Sequence, residues 1–527
     1  MFISLKKARK LKLDYCLLIL IMGIFYTQTQ WNNYIGDPDG FYHAKIASYI
    51  NQGKIIKTLP WMQFSHLKDN FVDHQFLYHL ILAPFTNIIN PLIGVKIATV
   101  ILSVLMIVVF YWLLKELKVK YPFIFSLGFL ILGGLTFRLL LIKTNSLSLI
   151  IIWLLIYALI EKKNKLLTLL GFIFVLSYGM WPISILIFIS YLIADKIYNY
   201  IHTSKTKIFW NKVIRTFNFH RIHSENYNLK MGLHLATGIL LGIIINPYFP
   251  QNVSFYLQLL KIGLSNGQQD FPVGGEWYGT GLGNIISSAP HIFVAMAIIC
   301  IILFFNHRKI KKITWFSFLL TFGFLLMTIK SRRYIEYYSP FALLFTAVGF
   351  NDVQSFVDKE KIMHLWSSLS KILQTYLLLI LAVFLFLIMP SMYDKILNVH
   401  LTGNYSVDHF AGASLWLKEN TPKNAVVFHS DWDEWPILFY QNDNNYYIIG
   451  LDPVLMENYN SGLHKIYRDI NFGEMDADVG AKIKQYFGAE YVFIESKSHT
   501  KLINNLNAED NNTIVYQDDT SIIYKIN

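Results

Sequence analysis

The sequence predicts an all-α polytopic membrane domain of about eleven transmembrane helices, followed by a small extracytoplasmic α/β domain. Three observations predict it. Of 527 residues 54% are hydrophobic and only 15% charged, with apolar runs too long for a soluble surface to absorb. Basic clusters recur on alternate connections between those runs. Beyond Pro390 the long runs cease, and short strand and helix signals alternate.

The net charge of +12 would suit a nucleic-acid partner, but its distribution argues against one. From Ser391 onward, Lys and Arg number 10 against 19 Asp and Glu; before it they number 36 against 15. The basic excess belongs to the membrane part, where it orients helices. Cys16 and Cys300 lie inside apolar runs and read as small core residues, not as a disulfide. Lys6-Lys7-Ala8-Arg9-Lys10 precedes an apolar run that leads into Tyr26-Thr27-Gln28-Thr29-Gln30, with no small-residue cleavage site. An uncleaved anchor with a cytoplasmic amino terminus is expected.

In chain order, the predicted spans are Leu13 to Gln28, Pro91 to Leu114, Tyr121 to Thr136, Leu147 to Ile160, Leu166 to Met180, Ile183 to Ile197, Met231 to Pro247, Ile286 to Phe305, Ile313 to Ile329, Tyr338 to Val353 and Leu373 to Pro390. The clusters 115–120, 161–165, 196–230, 307–312 and 358–361 then all fall on the amino-terminal side. Gln75 to Ile89 is apolar enough to cross, but counting it would invert every later cluster. It is assigned to the interface, as an amphipathic helix with Tyr78 and His79 in a first outer loop from Trp31 to Asn90. Parity places the carboxy-terminal domain, 391–527, outside, against a membrane domain of 1–390. That domain reads as a helix from Val407 to Asn420, stopped by Thr421-Pro422; strands at 425–428, 446–449 and 491–494; a helix at 479–487; and a closing strand pair, 513–516 and 522–526, joined by Asp518-Asp519.

Four outer segments hold the candidate chemistry. Asp37-Pro38-Asp39-Gly40-Phe41-Tyr42-His43 opens the first loop, and the proline between the acids limits their separation. Carboxylates at a water–membrane boundary can activate a hydroxyl or amide, or hold a divalent cation, although the same residues also suit a tight turn. Lys330-Ser331-Arg332-Arg333-Tyr334 puts a guanidinium pair and a tyrosine on the side the orientation rule disfavours. Arg332, Arg333 and Tyr334 suit a lipid phosphate, with headgroup snorkelling the plainer alternative.

The glycine-rich stretch 268–279 lacks the lysine and helix start of a nucleotide cradle, so Glu276 and Trp277 are read as facing the active cavity or as part of a solvated loop. His429-Ser430-Asp431-Trp432-Asp433-Glu434-Trp435-Pro436 interleaves acids with indoles. Asp431, Trp432 and Asp433 suit an acceptor contact, or else Asp431 caps a helix above two buried tryptophans. The outer connection 137–145 carries Arg138 and Lys143 and no acid. His66, Asp69, Asp73, His74 and His79 match no common zinc spacing.

This layout resembles the GT-C class of membrane glycosyltransferases, and within it distant relatives of the oligosaccharyltransferase catalytic subunit. The resemblance is one of plan over the whole chain, carried by short motifs: the acidic pair, the interfacial helix, the late Arg-Arg-Tyr and the outer α/β domain. It implies a polyprenyl-phosphate- or pyrophosphate-linked sugar donor, a membrane lipid environment, and an acceptor at the outer face of the cytoplasmic membrane, as suits cell-envelope glycosylation. It further implies Asp37, with Asp39 second, as the catalytic acid residue nearest the acceptor, and His43 as a neighbour of the substrate. The acceptor-binding WWDYG signature is mirrored only by Trp432-Asp433, since Glu434-Trp435-Pro436 follows. The second-loop acidic pair, a metal ligand set in oligosaccharyltransferase, is absent, so metal-independent members are the closer analogy. If a divalent cation, Mg or Mn, is used, the ligands available are Asp37, Asp39 and Glu276. The alternative is a transporter or flippase of lipid-linked saccharides, for which the spans carry few of the mid-depth ionisable groups and helix breaks transport requires.

Overall fold

The structure is a computed structural model and describes residues 2–203, 222–264, 273–356, 367–376, 379 and 405–527. Apolar helices form one body, and a mixed sheet with its own helices caps one end of it. Among the described residues, four helices are long and apolar enough to cross a membrane: Pro91–Glu116, Ile183–His202, Tyr227–Ile244 and Lys312–Lys330; counting each of two bent pairs as one span gives six. Asn145–Ile160 and Asn164–Ser177 are apolar but shorter. Leu373 to Pro390, the last predicted span, lies almost entirely outside the described residues.

Two predicted spans are not straight. Tyr121 to Thr136 is split into Pro122–Ile131 and Gly133–Leu140, inclined at 79°, and the break falls where Gly133-Gly134 offers little helix propensity. Ile286 to Phe305 is split into Leu282–Ser288 and Pro290–Phe305 at 104°, with Pro290 taking the first helical position after the break. The outer loop predicted after Pro247 contains an additional helix, Gln251–Leu264. The run from 75 to 89 yields a helix of only seven residues, Phe76–Leu82, about 10 Å long and too short to cross. Tyr78 and His79 on it are fully buried within the protein.

Helices Asn164–Ser177 and Ile222–Ile244 meet through glycine. A Cβ on Gly238 would lie 2.1 Å from the Thr168 carbonyl oxygen, and one on Gly242 would lie 2.8 Å from that of Phe172. These two glycines, four residues apart, form a small-residue seam that lets the backbones touch. Gly238→Ile is expected to cost about 1–3 kcal/mol by overpacking and to lower the thermal midpoint in detergent. Gly323→Ala, where a Cβ meets nothing within 4 Å, should leave it unchanged.

The segment from Trp31 to Asn90, expected as the first outer loop, folds into the helix Asp39–Asn51, a 3₁₀ turn at His66–Lys68 and the short helix at 76–82, followed by a second 3₁₀ turn. Its strand β1 (Tyr34–Ile35) pairs antiparallel with β2 (Tyr405–Ser406) at the start of the carboxy-terminal region. Lys96, on the long helix Pro91–Glu116, braces β1 by donating to the carbonyls of Asn32 (2.7 Å) and Tyr34 (2.9 Å).

The terminal sheet has five strands in the order β4-β3-β5-β7-β6: β3 (Val426–His429), β4 (Tyr446–Tyr447), β5 (Tyr491–Glu495), β6 (Asn512–Gln517) and β7 (Ser521–Ile526). β3 runs parallel to β4 and β5, and the β6–β7 hairpin adds antiparallel strands. The parallel strands carry near-continuous apolar runs because both their faces are covered. The sheet domain also grips the first loop. Tyr447 and Ile448 carbonyls accept from the backbone of Gln63 and Phe64, the Trp435 indole donates to Trp61 O at 2.7 Å, and Lys45 and Tyr49 both reach Asp443.

Candidate active site

Asp37 starts a turn and a site together. Its Oδ1 accepts the Asp39 N–H at 3.0 Å and its carbonyl accepts the Gly40 N–H, which launches the helix Asp39–Asn51. Gly40 is needed here: a Cβ would lie 2.8 Å from Ile35 Cγ2 and 3.1 Å from Ile142 Cδ1. That close approach brings in the turn that carries Lys143. The Lys143 ammonium lies 3.0 Å from Asp37 Oδ2 and 2.9 Å from Asp39 Oδ2. Both Asp37 oxygens are thus engaged, whereas Asp39 Oδ1 has no hydrogen-bond partner among the described contacts.

The charge pattern continues through Arg138. Its guanidinium bridges Glu276 (2.5 Å) and Glu336 (2.8 Å), side chains drawn from distant parts of the chain. Glu276 also takes Arg333 at 3.3 Å, and Tyr178 joins the two sides by accepting from Arg333 (3.2 Å) and donating to Glu336 (3.3 Å). Arg333 stacks over the Trp277 ring at 4.8 Å. Backbone pairing holds this arrangement, since the Arg333 N–H and the Ser331 hydroxyl both donate to Glu276 O and the Arg332 N–H donates to Tyr278 O. The Arg333 Nε is buried and has no partner among the described residues.

Electrostatics tie the acid pair to this ion lattice. Burial, with the charges of Asp37 and Glu276, outweighs Lys143 and pushes the Asp39 carboxyl up to about 6. At Lys143, burial opposes the charge, but Asp37, Asp39 and Glu276 together overcome it and hold the ammonium protonated. Glu276 is kept ionised against its own burial by Arg138, Lys143 and Arg333. Asp452, in the sheet domain, is pushed up to about 6 by burial, with Arg333 pulling it down and Glu276 and Asp39 pushing it up. Val273 and Trp277 pack against Val454 just beyond it.

The other predicted residues divide. Arg332 is exposed and joins the cluster only through its backbone, while Tyr334 is buried. Of the expected guanidinium pair, Arg333 is the one whose side chain enters the ion lattice. His43 is buried in a hydrogen-bonded chain, His43 Nδ1 to His79 Nε2 (2.7 Å) and His79 Nδ1 to Asp73 Oδ2 (2.7 Å), and burial holds its imidazole neutral. Gln268 to Pro272 lie outside the described residues.

At 429–436 a helix does start, with no side-chain cap. Trp435 is fully buried at the head of Trp435–Gln441, and Glu434 rather than Asp431 does the tying, accepting from Ser430 Oγ, Asp431 N and Glu495 N. Trp432 is half-buried and approaches Gly274 of the glycine-rich stretch. Asp431 lies 3.6 Å from His499, whose burial is outweighed by that carboxylate and the Asn471 carbonyl, pushing it up to about 9. Burial and the carboxylates of Asp431, Glu434, Glu495 and Asp37 push Asp433 up to about 8.

Arg138, Lys143, Tyr178, Glu336 and Asp452 are site residues that reading the sequence missed. The signal available was the pair of cations, with no acid, in 137–145.

A divalent cation needs several hard oxygens converging with no rival cation among them. Here Lys143 stands between Asp37 and Asp39, and Arg138 and Arg333 occupy Glu276. Among the described residues, no group of three or more His, Cys, Asp or Glu side chains is placed to hold a metal ion. The residues present do not fit a bound Mg or Mn.

No family model and no curated protein matches the chain. Solved structures do. An oligosaccharyltransferase from Archaeoglobus fulgidus in the apo form matches with a TM-score of 0.62 at 12% identity, over 91% of this chain and 69% of that one. The same organism's oligosaccharyltransferase AglB, in complex with an inhibitory peptide and a dolichol-phosphate, matches with a TM-score of 0.62 at 12% identity, over 98% and 74%. The arabinofuranosyltransferase AftD from Mycobacteria matches with a TM-score of 0.53 at 9% identity, over 97% of this chain but 41% of that one. The chain thus has a GT-C-like fold, distantly similar to these membrane glycosyltransferases.

Proposed function

We propose that this protein is a glycosyltransferase that moves a sugar or glycan from a polyprenyl-phosphate or pyrophosphate carrier to an acceptor at the outer face of the membrane. The Asp37–Asp39 pair removes the acceptor proton as the acceptor attacks the anomeric carbon. The bond from that carbon to the carrier phosphate breaks, and Arg333 neutralises the charge left on the phosphate. Such a single displacement inverts the anomeric centre. The resemblance selects Asp37 as the proton acceptor; Asp39 is the acid with a free oxygen.

The observation that carries this reading is the shared end of the bundle. An acid pair, the half-buried Arg333 guanidinium, whose buried Nε has no partner among the described residues, and the sheet domain all meet there. The proposal adds an amino terminus in the cytoplasm, with that end of the bundle outside. Transport draws no support from the neighbours named above, which are transferases.

Mass spectrometry of glycans from a deletion strain and its complemented counterpart identifies the acceptor. Purified protein with a lipid-linked sugar should then form the covalent product, and carrier translocation without any product rejects the proposal. Arg333→Met is expected to lower kcat by about 10²–10³-fold, the scale of losing one donor to a developing anion. Arg332→Met, on an exposed side chain, should leave kcat nearly unchanged in the same assay.

A further inference from the structure

We propose that Lys143 is a resident cation standing where a divalent metal would bridge Asp37 and Asp39, so that the acid pair works without bound metal. This rests on the proposed reading of the pair as the acceptor-side base.

Geometry carries the inference. The ammonium is 3.0 and 2.9 Å from one oxygen of each aspartate, and its side chain is only 15% exposed. Two carboxylates so close would otherwise repel, and one would take up a proton. The approach is built into the fold: the missing Cβ of Gly40 lets Ile142 sit against the aspartate turn, which sets the next residue between the acids. The charges nearly balance. Asp37, Asp39, Glu276 and Glu336 face Lys143, Arg138 and Arg333, leaving one carboxylate in excess.

An ammonium differs from a metal in what it contributes. It donates hydrogen bonds and one fixed charge, but it cannot acidify a bound water as a divalent ion can. The proton of the acceptor therefore leaves directly onto a carboxylate oxygen, and Asp39 Oδ1 is the one left unoccupied. Lys143 is a positioning residue: it bridges one oxygen of each acid and leaves Asp39 Oδ1 free of it.

The test uses purified full-length protein, with Mn²⁺ as probe. The electron paramagnetic resonance spectrum of added Mn²⁺ should remain that of the free ion, and chelation with EDTA should leave transfer unchanged. Lys143→Met is expected to lower transfer at least tenfold and to move the acidic limb of the pH–rate profile upward, because the unscreened pair retains a proton to higher pH. Lys143→Arg keeps the charge and should restore the limb even where the rate stays low. Saturable Mn²⁺ binding by the wild type that disappears in Asp37→Asn overturns the proposal, as does a Lys143→Met profile that falls without shifting. Mn²⁺ binding needs no turnover, so a protein that neither transfers sugar nor binds Mn²⁺ would reject the glycosyltransferase reading alone.

Discussion

Asp37→Asn and Asp39→Asn, made separately and assayed with a lipid-linked sugar in membranes, are each expected to lower kcat by about 10²–10⁴-fold. An amide cannot accept the acceptor proton, and each substitution also removes half of the anionic clamp on Lys143. The two losses should differ. Asp37 also caps the turn that starts the helix Asp39–Asn51, whereas Asp39 supplies the free oxygen. The larger kcat effect therefore identifies the proton acceptor, while donor affinity should change little in either variant because Arg333 is untouched. The wild-type pH profile supplies a second check. With the Asp39 carboxyl pushed up to about 6 by burial, kcat/KM should be full above that pH and decline as the pH falls through it, since the protonated acid is no longer a base. Full activity in both variants removes the acid pair from the mechanism.

Arg138→Met should have the largest effect on stability. Arg138 is 6% exposed and Glu336 1%, and the guanidinium is the basic side chain paired with that glutamate. Removing one partner of a buried ion pair leaves an uncompensated charge and costs about 3–5 kcal/mol. The thermal midpoint of the purified protein should drop sharply, together with its yield in the membrane. Arg138→Met combined with Glu336→Gln removes both charges and should recover much of the lost stability. Equal midpoints for the wild type and Arg138→Met would mean that the pair is solvated and the packing argument is mistaken.

The parts of the fold legible in the sequence are those set by neighbours along the chain. The helix expected at 479–487 is Val479–Phe487, and the closing hairpin turns at Asp518-Asp519, where Asp518 Oδ1 accepts from Thr520 and Ser521. Periodicity and turn chemistry suffice for such elements. Periodicity does not reveal bends: the runs broken near Gly133 and Pro290 keep their apolar character through the kink, so hydropathy reads each as one rod. The same distinction governs the site. Asp37 and Asp39 stood out because acids at a membrane edge are costly without a purpose. Arg138 did not, because its meaning lies in Glu276 and Glu336, residues 138 and 198 positions away, and no local pattern encodes that meeting. The Trp-rich stretch shows the same limit: the indole of Trp435 donates to Trp61, a partner 374 positions away that no local pattern names.

The short β1–β2 ladder imposes an order of events on biosynthesis. β1 is synthesised well before β2, which lies far along the chain beyond the described apolar helices. Until then the strand that leads into the aspartate turn has the Lys96 brace but not its ladder partner. On the proposed reading, a chain halted before its final lobe would hold the aspartate turn without the strand that clasps its approach.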